Sequence, residues 1–530
     1  MSRGRNAIDA SYPNLFVSNN CTVAGKLYAK HCSSCYLHAT ASAQCASMVI
    51  DPLTINAVIG PTGTTVPTGS MLFDTLQTAV TYADTFTDGD VVLNVPAGDY
   101  TAEGIIATSN ANSNSSLHIR GPVATFHGKS YADGQPIINT WTGSGTGVAT
   151  ITVIGAVVTV AGSLTAPDFV TAGVSIGDQI VVFLETGVID GVYTITSVAA
   201  TALSLNAAPT APVTATNGYG IAFMPDIHVA GYSLASRQGD VYIENHYLPS
   251  TATSGSVITA DACRVFLTDS VIHRSDLTNP DNAISLTDAR IPYSEVSGST
   301  VISNRGMGVS YAIRGRITDS VFFVPITAIG AGEALNVSHG ARALLNGTVM
   351  MVGIPSNAMI FMSDSGHLIG ESGHELYLVM QANLAGGLTP AMTMRNLSRA
   401  TLGTTYVRRY DTYTVATSHS IHLQGSSRLH MGYLESTLNN NVPALNTGSH
   451  LYANTDSSIV LLDGIILQGL YGIHGEGLAH LTGSATIVST VDGVDVMVGD
   501  NVADGGLANT VHTNVADTTV LLRSGVRYVL

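Results

Sequence analysis

The sequence predicts an all-β protein whose body is a parallel β-helix, and three observations carry that prediction. Short strands recur with one grammar: an apolar residue or two, then Asp, Asn or Gly beside Ser, Gly or Thr, then apolar again. Leu267–Ile272, Gly298–Ile302, Ile317–Phe322, Leu345–Met350, Leu402–Val407, Leu461–Ile466 and Leu481–Ile487 all follow it. Asp269 and Asp319 lie two steps apart and Asn346 one step further, a period of about 25 residues that falls in the solenoid range. The second observation is composition. Of 530 residues 45% are hydrophobic and only 11% charged, with a mean hydropathy of +0.28. The long uncharged runs, Gly134–Pro167 and Gly191–Pro225, are broken by Gly, Pro and Thr, so neither supplies the roughly 20 apolar residues of a membrane span. A coil that sends alternate side chains into one long interior buries such an excess, and 54 glycines with a single tryptophan suit its tight corners.

The third observation is the stretch Phe73–Tyr100. Phe73, Leu76, Ala79, Val80 and Ala83 recur at helical spacing, Asp88-Gly89-Asp90 turns the chain, and Val91–Val95 reads as a strand closed by Pro96-Ala97-Gly98. A helix feeding a strand that ends in Val-Pro-Ala-Gly-Asp-Tyr resembles the start of a right-handed parallel β-helix of the pectin-lyase-like class. The resemblance implies that the helix caps the open N-terminal end of the coil and that the Pro-Ala-Gly corner opens the first rung. It carries no chemistry, because this fold hosts lyases, hydrolases and purely structural shafts.

Residues 1–60 have short alternating pieces and no long core-forming element, as in Asn14–Asn20 and Thr22–Tyr28. They resemble the N-terminal stalk of viral fibre and spike proteins, which implies strands completed between three chains and hence a homotrimer. Met1–Arg5 does not lead into an apolar run, which argues against an ordinary secretory signal. Cys21, Cys32, Cys35 and Cys45 fall in this segment, and Cys32-Ser33-Ser34-Cys35 has the thiolate spacing of a zinc knuckle without a second pair. A metal, disulfides and small buried thiols all remain open for them, whereas Cys263 reads as a core thiol.

Residues 61–136 hold the helix and first rungs, with Leu117–Arg120 as a strand and Gly121-Pro122 as its corner. From 137 to 225 the strand signals become dense and short, predicting a small antiparallel barrel or sandwich. The strings Gly173–Asp178 and Gly191–Val198 resemble the small β-domain inserted between rungs in some phage and large-virus surface proteins. Such an insertion is expected to project from the shaft and to be separable from it. Residues 226–490 read as the main run of rungs, and 491–530 as strands that close the C-terminal edge.

A net charge of −16 and only three lysines, Lys26, Lys30 and Lys129, argue against a nucleic-acid partner. No motif for a cofactor is found. The best local constellation is an Asp/Glu-Ser-Gly-His unit repeated: Asp364, His367, then Glu371, His374, with Glu375 following. Acid, base and histidine together could perform proton transfer or hold a divalent ion; the structural alternative is a pair of turns with solvated histidines. Arg264, Asp269, His273 and Asp276 form a second grouping of the same kind. The expected function is therefore that of a structural virion surface protein, a tailspike-like spike, fibre or capsid decoration from a large DNA virus or phage. It would serve host attachment or assembly and contact other virion proteins and a host-surface glycan. The alternative is a tailspike-type depolymerase, a hydrolase or lyase, on the same coil.

Overall fold

In the computed structural model, side chains are described for most of 53–453, outside several short segments; backbone strands alone are described at Tyr28–Ser33, Gln44–Val49 and at intervals from Ser458 to Leu522. The chain divides into two units, Met1–Leu53 and Thr54–Leu530. Within the first, Tyr28–Ser33 and Gln44–Val49 pair in parallel, placing Cys32 opposite Met48 and Cys45 opposite Ala29. Cys32 and Cys45 are thus not register partners, and Cys21 and Cys35 lie outside the described residues.

The second unit is the expected parallel β-helix. One turn runs through Ile258–Ala260, Val265–Thr268 and Val271–Arg274, and each strand pairs in parallel with its equivalent one turn on: Ile284–Thr287, Ser294–Ser297 and Thr300–Ile302. Three stacked sheets result. We call the stack through Val265–Thr268 sheet one, that through Val271–Arg274 sheet two, and that through Ile258–Ala260 sheet three. Alternation fills the interior: Ile243, Leu267, Val296, Ile317 and Leu345 of sheet one are buried, while Tyr242, Phe266, Glu295, Arg316 and Leu344 face outward.

The corner between sheets one and two explains the recurring Asp/Asn/Gly. Asn245, Asp269, Gly298, Asp319 and Gly347 occupy successive corners with φ of 59°, 46°, 56°, 45° and 57°. This left-handed conformation is tolerated by Gly and, through short polar side chains, by Asn and Asp. The serine that follows is also required. Ser270, Ser299 and Ser320 are buried, and the hydroxyls of Ser270, Ser299 and Ser320 accept from the backbone N–H of His246, Ser270 and Ser299 at 3.1, 3.1 and 3.2 Å. Each hydroxyl donates to the carbonyl two residues before it, so the corner's backbone groups are satisfied without water. At Arg399–Arg409 and Arg428–Leu438 no such corner is made, and single strands run through sheets one and two, with Gly403 and Gly432 at the bend.

The capping helix is Leu76–Asp84, with Leu76, Ala79, Val80 and Ala83 buried; Phe73 belongs instead to the preceding strand Ser70–Phe73. Thr75 closes a capping box with Thr78, and the Glu103 carboxylate accepts from the N–H groups of Leu76 and Gln77, both at 2.9 Å. Leu53–Ile59, expected within the 1–60 segment, pairs in parallel with Ser70–Phe73. At the far end Thr518–Leu522 pairs antiparallel with His480–Ile487, covering the edge of that strand.

The inserted domain is an antiparallel sheet of seven strands, and it begins before residue 137, at Ser130–Ala132. It closes on its own core of Phe169, Ile180, Ile195, Leu203, Ile221 and Phe223. The expectation that it projects from the shaft is not met. Val181, Ala222 and Met224 on its opposite face share one apolar cluster with Tyr247, Val271, Ile302, Phe323 and Met350 from the outer side of sheet two. Lys129 at its base reaches Asp269 at 3.3 Å. The physical reason is that sheet two is apolar on both faces and needs a cover.

Candidate functional site

The residues singled out from the sequence do not converge. Asp364, with Ser365, forms the corner between sheets three and one, with φ of 49° and 65°; its carboxylate accepts from Asn396 Nδ2 at 3.0 Å, which holds its pKa down. Glu371 and His374 belong to the corner at the other end of the strand His367–Gly370, roughly 13 Å away along that strand. That separation exceeds the 5–10 Å across which two glycosidase carboxylates cooperate. Both Glu371 oxygens accept from Arg316 Nη2 at 2.6 Å.

His374 is buried rather than solvated, packed where a Cβ on Gly370 would collide with it. Its Nδ1–H donates to the Glu371 carbonyl at 2.8 Å and its Nε2 accepts from Gly403 N–H at 3.2 Å, so both ring nitrogens are spent on backbone. Glu375 begins a sheet-two strand and accepts from the Tyr377 hydroxyl at 3.1 Å.

The second grouping disperses as well. Arg264 pairs with Asp240, Asp269 with Lys129, His273 Nδ1 lies 2.7 Å from the Tyr247 hydroxyl, and Asp276 caps its own turn at Thr278. Among the described residues no cluster of three or more His, Cys, Asp or Glu is arranged to hold a metal.

What the fold does assemble is the outer face of sheet one. Register places side chains in columns along the coil, roughly 4.8 Å apart from rung to rung. One column reads His118, Tyr242, Phe266, Glu295, Arg316. The first three rings stack, His118 on Tyr242 at 4.0 Å and 1° and Tyr242 on Phe266 at 4.4 Å and 8°. Tyr293 meets Phe266 edge-on at 6.0 Å, and the Arg316 guanidinium lies 5.2 Å from the Tyr293 ring centre. The rings therefore present their edges to solvent.

A second column, two residues on, is polar: Asn94, Arg120, Glu244, Thr268, Ser297, Thr318, Asn346. Carboxylate–guanidinium pairs tie rungs together. Arg120 Nε donates to Glu244 at 2.6 Å, Arg264 Nε to Asp240 at 2.7 Å, and Glu295 accepts from Thr318 Oγ1 at 2.7 Å. Burial alone would raise the Glu244 pKa, but His118 and Arg120 hold it at about 2. Burial pushes Asp178 and Asp269 up, and neither lies in these columns.

This face combines apolar ring edges, fixed charges and a regular row of hydroxyl and amide groups, all half-exposed. A chain of sugars presents the complementary chemistry at comparable spacing. Tyr242, Phe266, Tyr293 and Glu295 are absent from the groupings drawn from sequence. The signal that finds them is alignment on the corners: Tyr242, Phe266, Glu295 and Arg316 each stand three residues before the left-handed position.

No protein-family model and no curated protein sequence matches this chain. Among solved structures, a glycoside hydrolase is similar at 10% identity and a TM-score of 0.29, covering 82% of this chain and 96% of that one. The Gp54 tailspike of Acinetobacter baumannii bacteriophage AP22, solved with a capsular saccharide, aligns at 8% identity and a TM-score of 0.21 over 80% of this chain and 76% of its own. The gp49 tailspike of Pseudomonas phage LKA1 aligns at 12% identity and a TM-score of 0.19, covering 75% of each chain. These likenesses are of fold.

Proposed function

We propose that this chain is a glycan-binding surface protein of the tailspike or fibre kind, with the outer face of sheet one as its carbohydrate surface. The observation that carries the reading is the pair of adjoining columns, stacked rings beside a polar ladder, on an exposed face that runs along the coil. Sugar C–H groups pack on ring edges, and hydroxyls find acceptors and donors at each rung. In this reading the protein belongs to a virion surface, assembles as a homotrimer through residues 1–60, and contacts other virion proteins as well as a host-surface glycan.

A second reading, a depolymerase on the same face, has one feature in its favour. Glu295 receives a hydroxyl hydrogen bond rather than an ion pair, so its carboxylate is the freest of those beside the rings. A screen of the purified full chain against immobilised glycans, paired with a reducing-end or unsaturated-product assay, separates the two. Binding without new chain ends supports the attachment reading. Cleavage abolished by Glu295→Gln supports the enzyme, and retention of no glycan at all refutes both.

A further inference from the structure

Along the edge of sheet one next to sheet three, register brings like charges together. Arg314 pairs with Arg342, Arg342 with His367, His367 with Arg399, and Arg399 with Arg428, so five successive rungs carry four arginines and a histidine in one column. All four arginines are exposed. The chain holds 21 lysines and arginines against 37 acids, so this column concentrates a scarce charge on one line. The adjoining acids are engaged elsewhere: Asp364 accepts from Asn396, and Glu371 is bound by Arg316. Like charges directly opposite on paired strands are unfavourable, and nothing in the packing of these exposed side chains repays that cost. The field is felt within the column, since after burial the main influences pushing the His367 pKa down are Arg342 and Arg399.

From this column we infer that the glycan is a linear acidic polysaccharide, lying along the coil with its anionic groups on Arg314, Arg342, Arg399 and Arg428. The inference rests on the carbohydrate-surface reading above and specifies its substrate class. A pyranose unit is about as long as one rung step, so successive acidic sugars meet successive guanidinium groups. Double-stranded DNA, with a charge every 3.4 Å or so on each strand, does not keep that register. Each guanidinium offers a planar fork that a carboxylate or sulfate fits.

The test uses the full chain with alginate, polysialic acid and dextran sulfate as acidic probes, neutral dextran as control and duplex DNA as competitor. We expect at least one acidic probe to bind with an affinity that falls steeply as salt rises. Arg342→Gln/Arg399→Gln should weaken that binding tenfold or more while leaving the thermal midpoint equal or higher, because repulsion is relieved. Binding of no acidic probe, an unchanged affinity in the double variant, or DNA bound as tightly as the best glycan would each overturn the inference. So would an oligomer that dissociates in the double variant, which would assign the column to a subunit contact. If neutral dextran or another neutral glycan binds and is lost on Tyr242→Ala while acidic probes fail, the carbohydrate reading stands and this one falls.

Discussion

Arg237 and Asp84 form a buried ion pair that joins the last residue of the capping helix to the coil. Their side chains are 1% and 7% exposed. Asp84 also accepts from the N–H groups of Ser109 and Asn110 at 3.0 and 3.1 Å, and Arg237 donates to the Ser115 carbonyl at 2.8 Å. The pair therefore locks the helix over the open end of the coil with both ions hydrogen-bonded.

Removing one partner leaves the other charge buried and unpaired, so Asp84→Ala and Arg237→Met should each cost about 3–5 kcal/mol in denaturant unfolding. The double variant should recover a large part of that loss. A double variant as unstable as the sum of the singles would show that the pair contributes through packing rather than charge.

Excision of 130–223 with a short Gly-Ser bridge should not leave a well-behaved coil, in contrast to what the sequence alone suggests. It would bare Tyr247, Ile302, Phe323 and Met350, a continuous apolar strip on sheet two. Size-exclusion chromatography should show aggregation, and dye binding should rise. A soluble, dye-silent product of unchanged oligomeric state would remove the covering role assigned to the insertion.

Stability should depend on pH through two histidines. Burial lowers the pKa of His246 and of His273 to about 4, from an ordinary value near 6.5. The unfolded chain then binds more protons than the folded one between those values, so stability is full above about 6.5 and falls as pH drops toward 4. The slope is up to about 1.4 kcal/mol per pH unit for each group. Urea midpoints measured from pH 7.5 to 4.5 should decline, and His273→Gln should flatten the curve. A flat profile in the unaltered protein would contradict the neutral buried state.

Asp364→Asn, Glu371→Gln and Glu375→Gln together should leave glycan binding within about twofold, because each carboxylate serves a corner or a rung contact. Glu371→Gln alone should cost of order 1 kcal/mol of stability through its Arg316 pair, as a half-exposed contact does. A hundredfold loss of a glycan-cleaving activity in the triple variant would restore these residues to a catalytic role.

Much of the coil was legible in the sequence because its corners demand particular residues. Asp269, Gly298 and Asp319 stand where the backbone is left-handed, and the small polar residue beside them is the serine that satisfies the next rung. The surface columns were not legible. Unequal loops separate Arg314, Arg342, His367, Arg399 and Arg428, so no fixed period reveals that they are neighbours; only the pairing register does. The Asp/Glu-Ser-Gly-His doublet misled for the converse reason. Its two halves are close in sequence yet sit at opposite ends of one strand, where Ser and Gly shape turns. The cover over sheet two was hidden because a strand buried on both faces, such as Val321–Val324 or Thr348–Gly353, looks the same whether another layer or another chain lies on it.

The most direct measurement of the central claim is the affinity of the full chain for the glycan it retains best, before and after Tyr242→Ala/Phe266→Ala. These side chains face outward, so the fold should survive and circular dichroism should be unchanged. Loss of the ring edges is expected to weaken binding at least tenfold, consistent with one to three kcal/mol per lost aromatic contact. An affinity unchanged in a folded double variant would contradict the assignment of sheet one as the carbohydrate surface.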